Sequence, residues 1–263
     1  MFIVMLAIFA YRLASATEEQ AQVTFQLRAA DEVRDSILTQ IATRLENSGM
    51  RVQVLRRQGI LRLAENAINF PLGSETPVAE HEGNVGIVAR AIAEVVPCYV
   101  PPSPIEPAQA DDRDTAIVGE PSRPPYCQSA GSRAPYDCQP LNREYAWLLE
   151  TLLIEGHTDD VPVAAGSRYR DNIELSSMRA ATVHRMIAAC EPGVERLANS
   201  SGHPVLSTSG YGDTRPAILD PERRATNRRI DLRFLLEPPA GLSRAQESAV
   251  EAEIRERIGE RQP

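Results

Sequence analysis

Two charged side chains stand where the sequence predicts ligand-facing groups. Asp159 follows the short apolar run 152–154, and loops directly after a buried strand often carry such groups. Arg179 falls on the apolar side of a helix predicted over 172–190, together with leucine, valine and methionine side chains. A guanidinium on an apolar stripe is costly unless its charge is paired. We therefore expect Arg179 to face an anion, which is either Asp159 or a carboxylate of a ligand.

This pair of charges has two interpretations. Asp159 and Arg179 could form a structural ion pair at the rim of the core, and spacing alone supports this as well as a binding role. Alternatively they form a trap for a zwitterion, in which Asp159 accepts from an ammonium and Arg179 binds a carboxylate in bidentate fashion.

Composition excludes several other classes of protein. The chain has 263 residues and a net charge of −8, and all 28 basic residues are arginine. This acidic balance argues against nucleic-acid binding. The sequence has no Cys-x-x-Cys spacing, which argues against a zinc ribbon. A zinc site needs three or four convergent ligands, and the sequence does not predict this for His157, Asp159, Asp160 and His184. We therefore expect no metal and no cofactor.

Apolar periodicity predicts helices that alternate with strands, together with one apparent hairpin. This order favours an α/β two-layer sandwich, with one mixed sheet and helices packed mainly on one face. The predicted helices cover 31–47, 78–96 and 172–190, and the predicted strands cover 52–54, 61–63, 152–154, 205–209 and 230–234.

Four ordered motifs over about 80 residues make a specific pattern. They are Ile154-Glu155-Gly156-His157-Thr158-Asp159, Asn172-x-x-Leu175-Ser176-x-x-Arg179-Ala180, Gly210-Tyr211-Gly212-Asp213-x-x-Pro216 and Arg224-x-x-Asn227-Arg228-Arg229-Ile230. Together they strongly resemble the OmpA-like peptidoglycan-binding domain. The loop that opens Asp160-Val161-Pro162-Val163 looks most like the MotB flagellar-stator branch of that family.

The resemblance implies non-covalent binding of the peptidoglycan stem peptide through its diaminopimelate. Asp159 and Arg179 match the family positions that hold the ammonium and the carboxylate of this residue. The resemblance also implies that Thr158, Asn172 and Leu175 shape the pocket and that Asn227 and Arg228 support it.

The resemblance further implies a tether to the inner membrane. MotB-like proteins carry one transmembrane helix before this domain, and residues 1–16 are interpreted as part of such a helix or as another membrane anchor. A poor signal peptide and an ordinary buried segment are the alternatives. We expect a single-pass inner-membrane protein with its C-terminal domain in the periplasm, a homodimer and a MotA-like channel partner. The proton-carrying aspartate of MotB-like proteins has no counterpart before Phe2.

The predicted domain organisation places a linker and helix at 17–50, the OmpA-like domain at 51–237, and a C-terminal linker with a charged helix at 238–263. Residues 97–140 hold ten of the 20 prolines and are interpreted as an irregular insertion. Its cysteines 98, 127 and 138 suit a disulfide staple, and one of them could pair with Cys190, although spacing does not give the connectivity.

The predicted function is a cell-wall anchor for a membrane complex, which could be a stator-like proton-driven motor. A cell-wall hydrolase and a free periplasmic protein-interaction module are the alternatives. Hydrolysis of a glycan usually needs two carboxylates that flank the bond, whereas the adjacent Asp159 and Asp160 would point apart on an extended loop. We therefore expect a binding protein rather than an enzyme.

Overall fold

The computed structural model describes residues 2–63, 67–101, 124–127 and 148–237. These ranges contain three α-helices, five β-strands and short 3-10 turns. The helices are α1 (Phe2–Asn47), α2 (Ala79–Val95) and α3 (Asn172–Cys190), and the strands are β1 (Val52–Leu55), β2 (Ile60–Leu63), β3 (Leu148–Gly156), β4 (Leu206–Gly210) and β5 (Ile230–Glu237).

All five strands form one mixed sheet in the order β1-β2-β5-β3-β4. The β1–β2, β2–β5 and β5–β3 pairs are antiparallel, and β3 pairs with β4 in parallel. The parallel pair is connected through α3, as parallel neighbours require a crossover. The predicted α/β class with a mixed sheet is confirmed.

Alternation along the strands gives the sheet two different faces. Leu61, Leu232 and Ile154 lie side by side in the register and are fully buried. On this face α1 packs against β1, β2 and β5, α3 packs against β3 and β4, and α2 lies between the two other helices. The helices therefore cover one face, as predicted, and the other face is considered below.

Helix α1 is longer than the predicted helix over 31–47. It runs unbroken through the predicted boundary at residue 16, since neither glycine nor proline occurs between Phe2 and Asn47. Among the side chains that the structure describes on this helix, the buried apolar ones lie between Ala30 and Leu45, and the predicted helix includes all of them except Ala30. Among the described residues, no helix combines the length and apolar character needed to cross a membrane.

Helix α3 begins and ends at the predicted residues. The side chain of Asp171 caps its N-terminus by accepting a hydrogen bond of 2.8 Å from the backbone N–H of Glu174. At the end of β3, a Cβ on Gly156 would collide with the carbonyl group of Ser176. Glycine at this position therefore allows α3 to lie directly on the sheet.

A disulfide ties the proline-rich insertion to the end of α3. It joins Cys127 to Cys190, with a Cα–Cα distance of 5.1 Å, which confirms that one insertion cysteine pairs with Cys190. Cys98 is also disulfide-bonded. Cysteine 138, most of the insertion and the C-terminal segment predicted over 238–263 lie outside the described residues.

Candidate ligand-binding site

The loop that carries Asp159 leaves the sheet at the carboxyl end of β3. Its backbone is fixed from two sides, because His157 N–H donates to the Arg229 carbonyl at 3.1 Å and Thr158 N–H donates to the Gly212 carbonyl at 2.9 Å. From a third side, Asn172 Nδ2 donates to the Asp159 carbonyl at 3.3 Å. The Asp159 carboxylate is therefore held in a preset position.

The direct partner of Asp159 is Arg228. Arg228 Nη1 donates to Asp159 Oδ2 at 2.7 Å, and Arg228 Nε donates to the Phe70 carbonyl at 3.0 Å. The Arg228 side chain is 18% exposed. Within the described residues Asp159 Oδ1 accepts no hydrogen bond, and it is not one of the fully buried atoms without a partner. Asp159 Oδ1 thus has no guanidinium partner in the described part of the chain, while the Asp159 side chain is 3% exposed and that of Arg228 18%.

Arg179 is buried, as its place on the apolar stripe predicted, but its partners differ from the expectation. Its three nitrogens donate to the carbonyls of Ser74 (2.8 Å), His157 (3.1 Å) and Pro71 (3.2 Å). The guanidinium carbon lies 4.9 Å from the centre of the Phe70 ring. The structural ion pair with Asp159, one of the two interpretations of the sequence, does not form, because three carbonyl dipoles compensate the guanidinium and Arg228 binds one oxygen of the carboxylate.

Electrostatics still connects Arg179 to the site. Burial lowers the pKa of Arg179 to about 10, while the charge of Asp159 raises it and that of Arg228 lowers it. The side chain therefore remains positive at neutral pH. In this position it joins the loop at 71–74 to the end of β3.

Of the other predicted site residues, Thr158 and Asn227 line a cavity, whereas Leu175 lies in the core. The Thr158 hydroxyl is buried without a hydrogen-bond partner in the described part of the chain, and Thr158 and Asn227 line a cavity of about 100 Å³. Asn227 also closes the loop before β5, since its Oδ1 accepts from the backbone N–H groups of Ala217 and Ile218. Leu175 is a core residue of α3, so it supports the helix that carries Arg179.

Sequence reasoning missed the segment at 70–74. This segment supplies carbonyl partners to both Arg179 and Arg228, yet these partners lie 105 and 108 residues before Arg179 and 158 residues before Arg228. Carbonyl groups occur in every residue, so no sequence signal marks these contacts.

A group of possible metal ligands lies on the face of the sheet that the helices do not cover. One ligand atom each from Glu155, His157 and Asp231 lies within 4.8 Å of the others. Guanidinium groups already bind both carboxylates. The positive surroundings disfavour a cation at this position.

Comparisons with known proteins give structural matches. No family model matches the chain, and no curated protein matches it. A MotB-like protein from Desulfovibrio vulgaris is similar, with 18% identity, a TM-score of 0.46, and coverage of 80% of this chain and 98% of that one. The periplasmic domain of Helicobacter pylori MotB has 18% identity and a TM-score of 0.43 over 78% of this chain and 89% of that one. The cell wall anchor of the T6SS from Pseudomonas aeruginosa has 16% identity and a TM-score of 0.41 over 76% and 97%.

Proposed function

We propose that this protein binds peptidoglycan non-covalently and anchors a membrane complex to the cell wall. The observation that carries the proposal is the Asp159–Arg228 pair at 2.7 Å, which leaves Asp159 Oδ1 without a guanidinium partner. The hydroxyl of the preceding residue, Thr158, is buried without a partner in the described part of the chain. A buried polar atom without a partner is uncommon in native proteins, and a polar ligand would satisfy it.

The ligand proposed from the resemblance is the diaminopimelate of the stem peptide, which carries an ammonium and a carboxylate. Asp159 Oδ1 accepts from the ammonium, and a guanidinium binds the carboxylate. Arg228 is the more accessible guanidinium, because Arg179 is only 1% exposed. Arg179 reaches the ligand if the loop at 71–74 releases it, and otherwise it positions the site. Asn172, Leu175 and Asn227 support this arrangement.

The anchoring role extends the proposal to the whole chain. Helix α1 continues beyond the domain to Phe2, and we propose that its first part tethers the protein to the inner membrane with the domain in the periplasm. The Cys127–Cys190 disulfide is consistent with an oxidising compartment. A homodimer and a MotA-like partner, and with them a stator function, belong to the same proposal.

Binding to purified sacculi tests the site. The variants are Asp159→Asn, Arg228→Gln and Arg179→Gln, and Arg185→Gln on the exposed side of α3 is the matched control. Wild type and control should sediment with sacculi, whereas loss of one charge-assisted contact of about 1.5–3 kcal/mol should weaken retention at least tenfold in Asp159→Asn and Arg228→Gln.

Two outcomes separate the alternatives. If Arg179→Gln retains binding while its thermal stability falls, Arg179 positions the site and Arg228 binds the carboxylate. Unchanged retention in the Asp159 and Arg228 variants would reject this site, and release of soluble muropeptides would favour a hydrolase.

A further inference from the structure

The face of the sheet opposite the helices carries a row of charges. Arg62, Asp231 and Glu155 lie side by side on β2, β5 and β3, and they alternate with the apolar row that faces the helices. The two carboxylates are only 1% exposed. A charged row buried on the uncovered side of a two-layer fold needs compensating partners.

Arginines supply these partners in excess. Arg233 binds Glu155 through both nitrogens of its fork, at 2.5 and 3.1 Å. Arg62 and Arg229 both bind Asp231, each at 3.1 Å. Three guanidinium groups therefore hold two carboxylates, and this cluster has a net positive charge.

Two adjoining cavities of about 470 and 440 Å³ lie over this cluster, and both are lined by Arg62, Ala217 and Arg229. We call them together the arginine groove. Glu155 and Asp231 are its only acidic lining residues among those described, which leaves an excess of four positive charges in a chain of net charge −8. The lining arginines are Arg51, Arg62, Arg215, Arg223, Arg229 and Arg233.

Half of these arginines are available to a ligand. Arg51, Arg215 and Arg223 are exposed, and none of the three forms an ion pair within the described residues. Arg215 lies over the Tyr211 ring at 3.7 Å from its centre, an arrangement that leaves the edge of the guanidinium free for hydrogen bonding.

Buried polar atoms of the groove lining also lack partners. Arg229 Nη1 and both ring nitrogens of His157 make no hydrogen bond in the described part of the molecule, although both side chains are 98% buried. Burial and the neighbouring Arg229 lower the pKa of His157 to about 3, so this ring adds no charge at neutral pH. An unsatisfied buried guanidinium N–H favours an anionic acceptor.

We propose that the arginine groove is a second peptidoglycan contact, which binds the remaining carboxylates of the stem peptide. This inference rests on the proposed function and extends it. The two sites adjoin along the chain, because Arg228 contacts Asp159 whereas the next residue, Arg229, lines the groove. The cavity lined by Thr158 also shares Pro216 and Ile218 with the groove. We therefore expect a stem peptide held at Asp159 to bring its other carboxylates to guanidinium forks, which bind carboxylates in bidentate fashion.

The test measures binding of the full chain to sacculi at increasing NaCl concentration. The groove variant combines Arg51→Gln, Arg215→Gln and Arg223→Gln, which removes three charges that form no ion pair within the described residues. A matched control combines Arg28→Gln, Arg185→Gln and Arg196→Gln, which are exposed positions outside the groove.

The groove variant should bind sacculi roughly tenfold more weakly at low salt, since three exposed contacts contribute about 0.5 kcal/mol each. Its affinity should also change less with salt than that of wild type or control. Equal affinity and equal salt dependence in the groove variant and the control would overturn the inference, while loss of binding in Asp159→Asn would leave the proposed function intact.

Two further outcomes are distinguishable. Failure of the wild type to bind sacculi would reject the proposed function itself, and the inference with it. Vesicles of phosphatidylglycerol test another source of anions. If the groove variant loses vesicle binding relative to the control but keeps sacculus binding, the groove belongs to a lipid surface and the inference is wrong.

Discussion

At the scale of single residues, the site depends on how buried charges are compensated. Arg179 is neutralised by three carbonyl dipoles, which leaves Asp159 to pair with Arg228. A carboxylate with one guanidinium partner keeps an oxygen for a ligand, whereas a carboxylate bound by two guanidinium groups would not. The backbone partners of Arg179 therefore leave Asp159 Oδ1 without a guanidinium partner in the described part of the chain, as the proposed site requires.

His157 makes folding stability depend on pH. Its pKa is lowered to about 3 in the folded protein against about 6.5 when unfolded, so the unfolded chain binds the extra proton. The contribution of neutral His157 is fully present above pH 6.5 and is lost as pH falls toward 3. Between pH 6 and 5 we expect the free energy of unfolding to fall by about 1 kcal/mol, measured by urea denaturation.

His157→Phe should remove this slope, because phenylalanine keeps the stacking on Tyr211 without a titrating group. His203→Gln is the control, since His203 is exposed and should leave the slope unchanged. A slope that persists in His157→Phe would assign the pH dependence to other groups. The lowered pKa of Asp231 does not confuse the result, because that carboxylate titrates below this range.

Residue types and spacing predicted the burial of Arg179 and the place of Asp159 after a strand. They did not predict the partner of either side chain. The carbonyls of Pro71 and Ser74 come from a distant loop, and Arg228 comes from the turn before β5. Such partners depend on the packing of separate segments, which local periodicity does not describe.

At the scale of secondary structure, local signals predicted α3 best. Its apolar stripe lies within one segment of the chain, and so does the Asp171 side chain that caps the helix in the structure. Strand β3 was predicted over 152–154, but it begins at Leu148, because Leu148 and Leu149 pair with the end of β5. That pairing joins residues nearly ninety positions apart, so it has no local signature.

The contact between β3 and α3 gives a second prediction. Gly156→Ala should destabilise the fold by roughly 2 kcal/mol, because its Cβ would collide with the Ser176 carbonyl and overpacking of this kind costs about 1–3 kcal/mol. Gly83→Ala is the matched control in α2, where a Cβ meets no atom within 4 Å. That change should stabilise by up to about 1 kcal/mol, since alanine favours helix. Equal unfolding midpoints for the two variants would contradict this account of Gly156.

At the scale of the whole molecule, charge is segregated. The chain is acidic overall, yet the arginine groove is basic and adjoins the Asp159 site. The arginines of the groove come from separate segments between residues 51 and 233, so folding rather than composition brings their charges together. It gives an acidic protein a surface that attracts anions at short range.

Helix α1 carries exposed apolar side chains in its first part. It is about 69 Å long at 1.5 Å per residue, and Met5, Phe9 and Leu13 lie on one side of it with exposures of 70, 68 and 56%. An exposed apolar stripe of this kind favours burial in another medium, and we expect lipid to supply it. The full chain should therefore float with phospholipid vesicles in a density gradient, whereas a chain that begins at residue 28 should remain at the bottom.

Flotation should persist in 0.5 M NaCl, where the Debye length is about 4 Å, because salt screens charge interactions but does not weaken the burial of apolar surface. Phe9→Glu combined with Leu13→Glu should reduce it strongly, and Arg28→Gln should not. The shortened chain should keep the unfolding temperature of the full chain, since every buried side chain that the structure describes on α1 lies at Ala30 or beyond. If the full chain does not float but sediments as a dimer that the glutamate variants dissociate, the stripe binds a second copy instead of lipid.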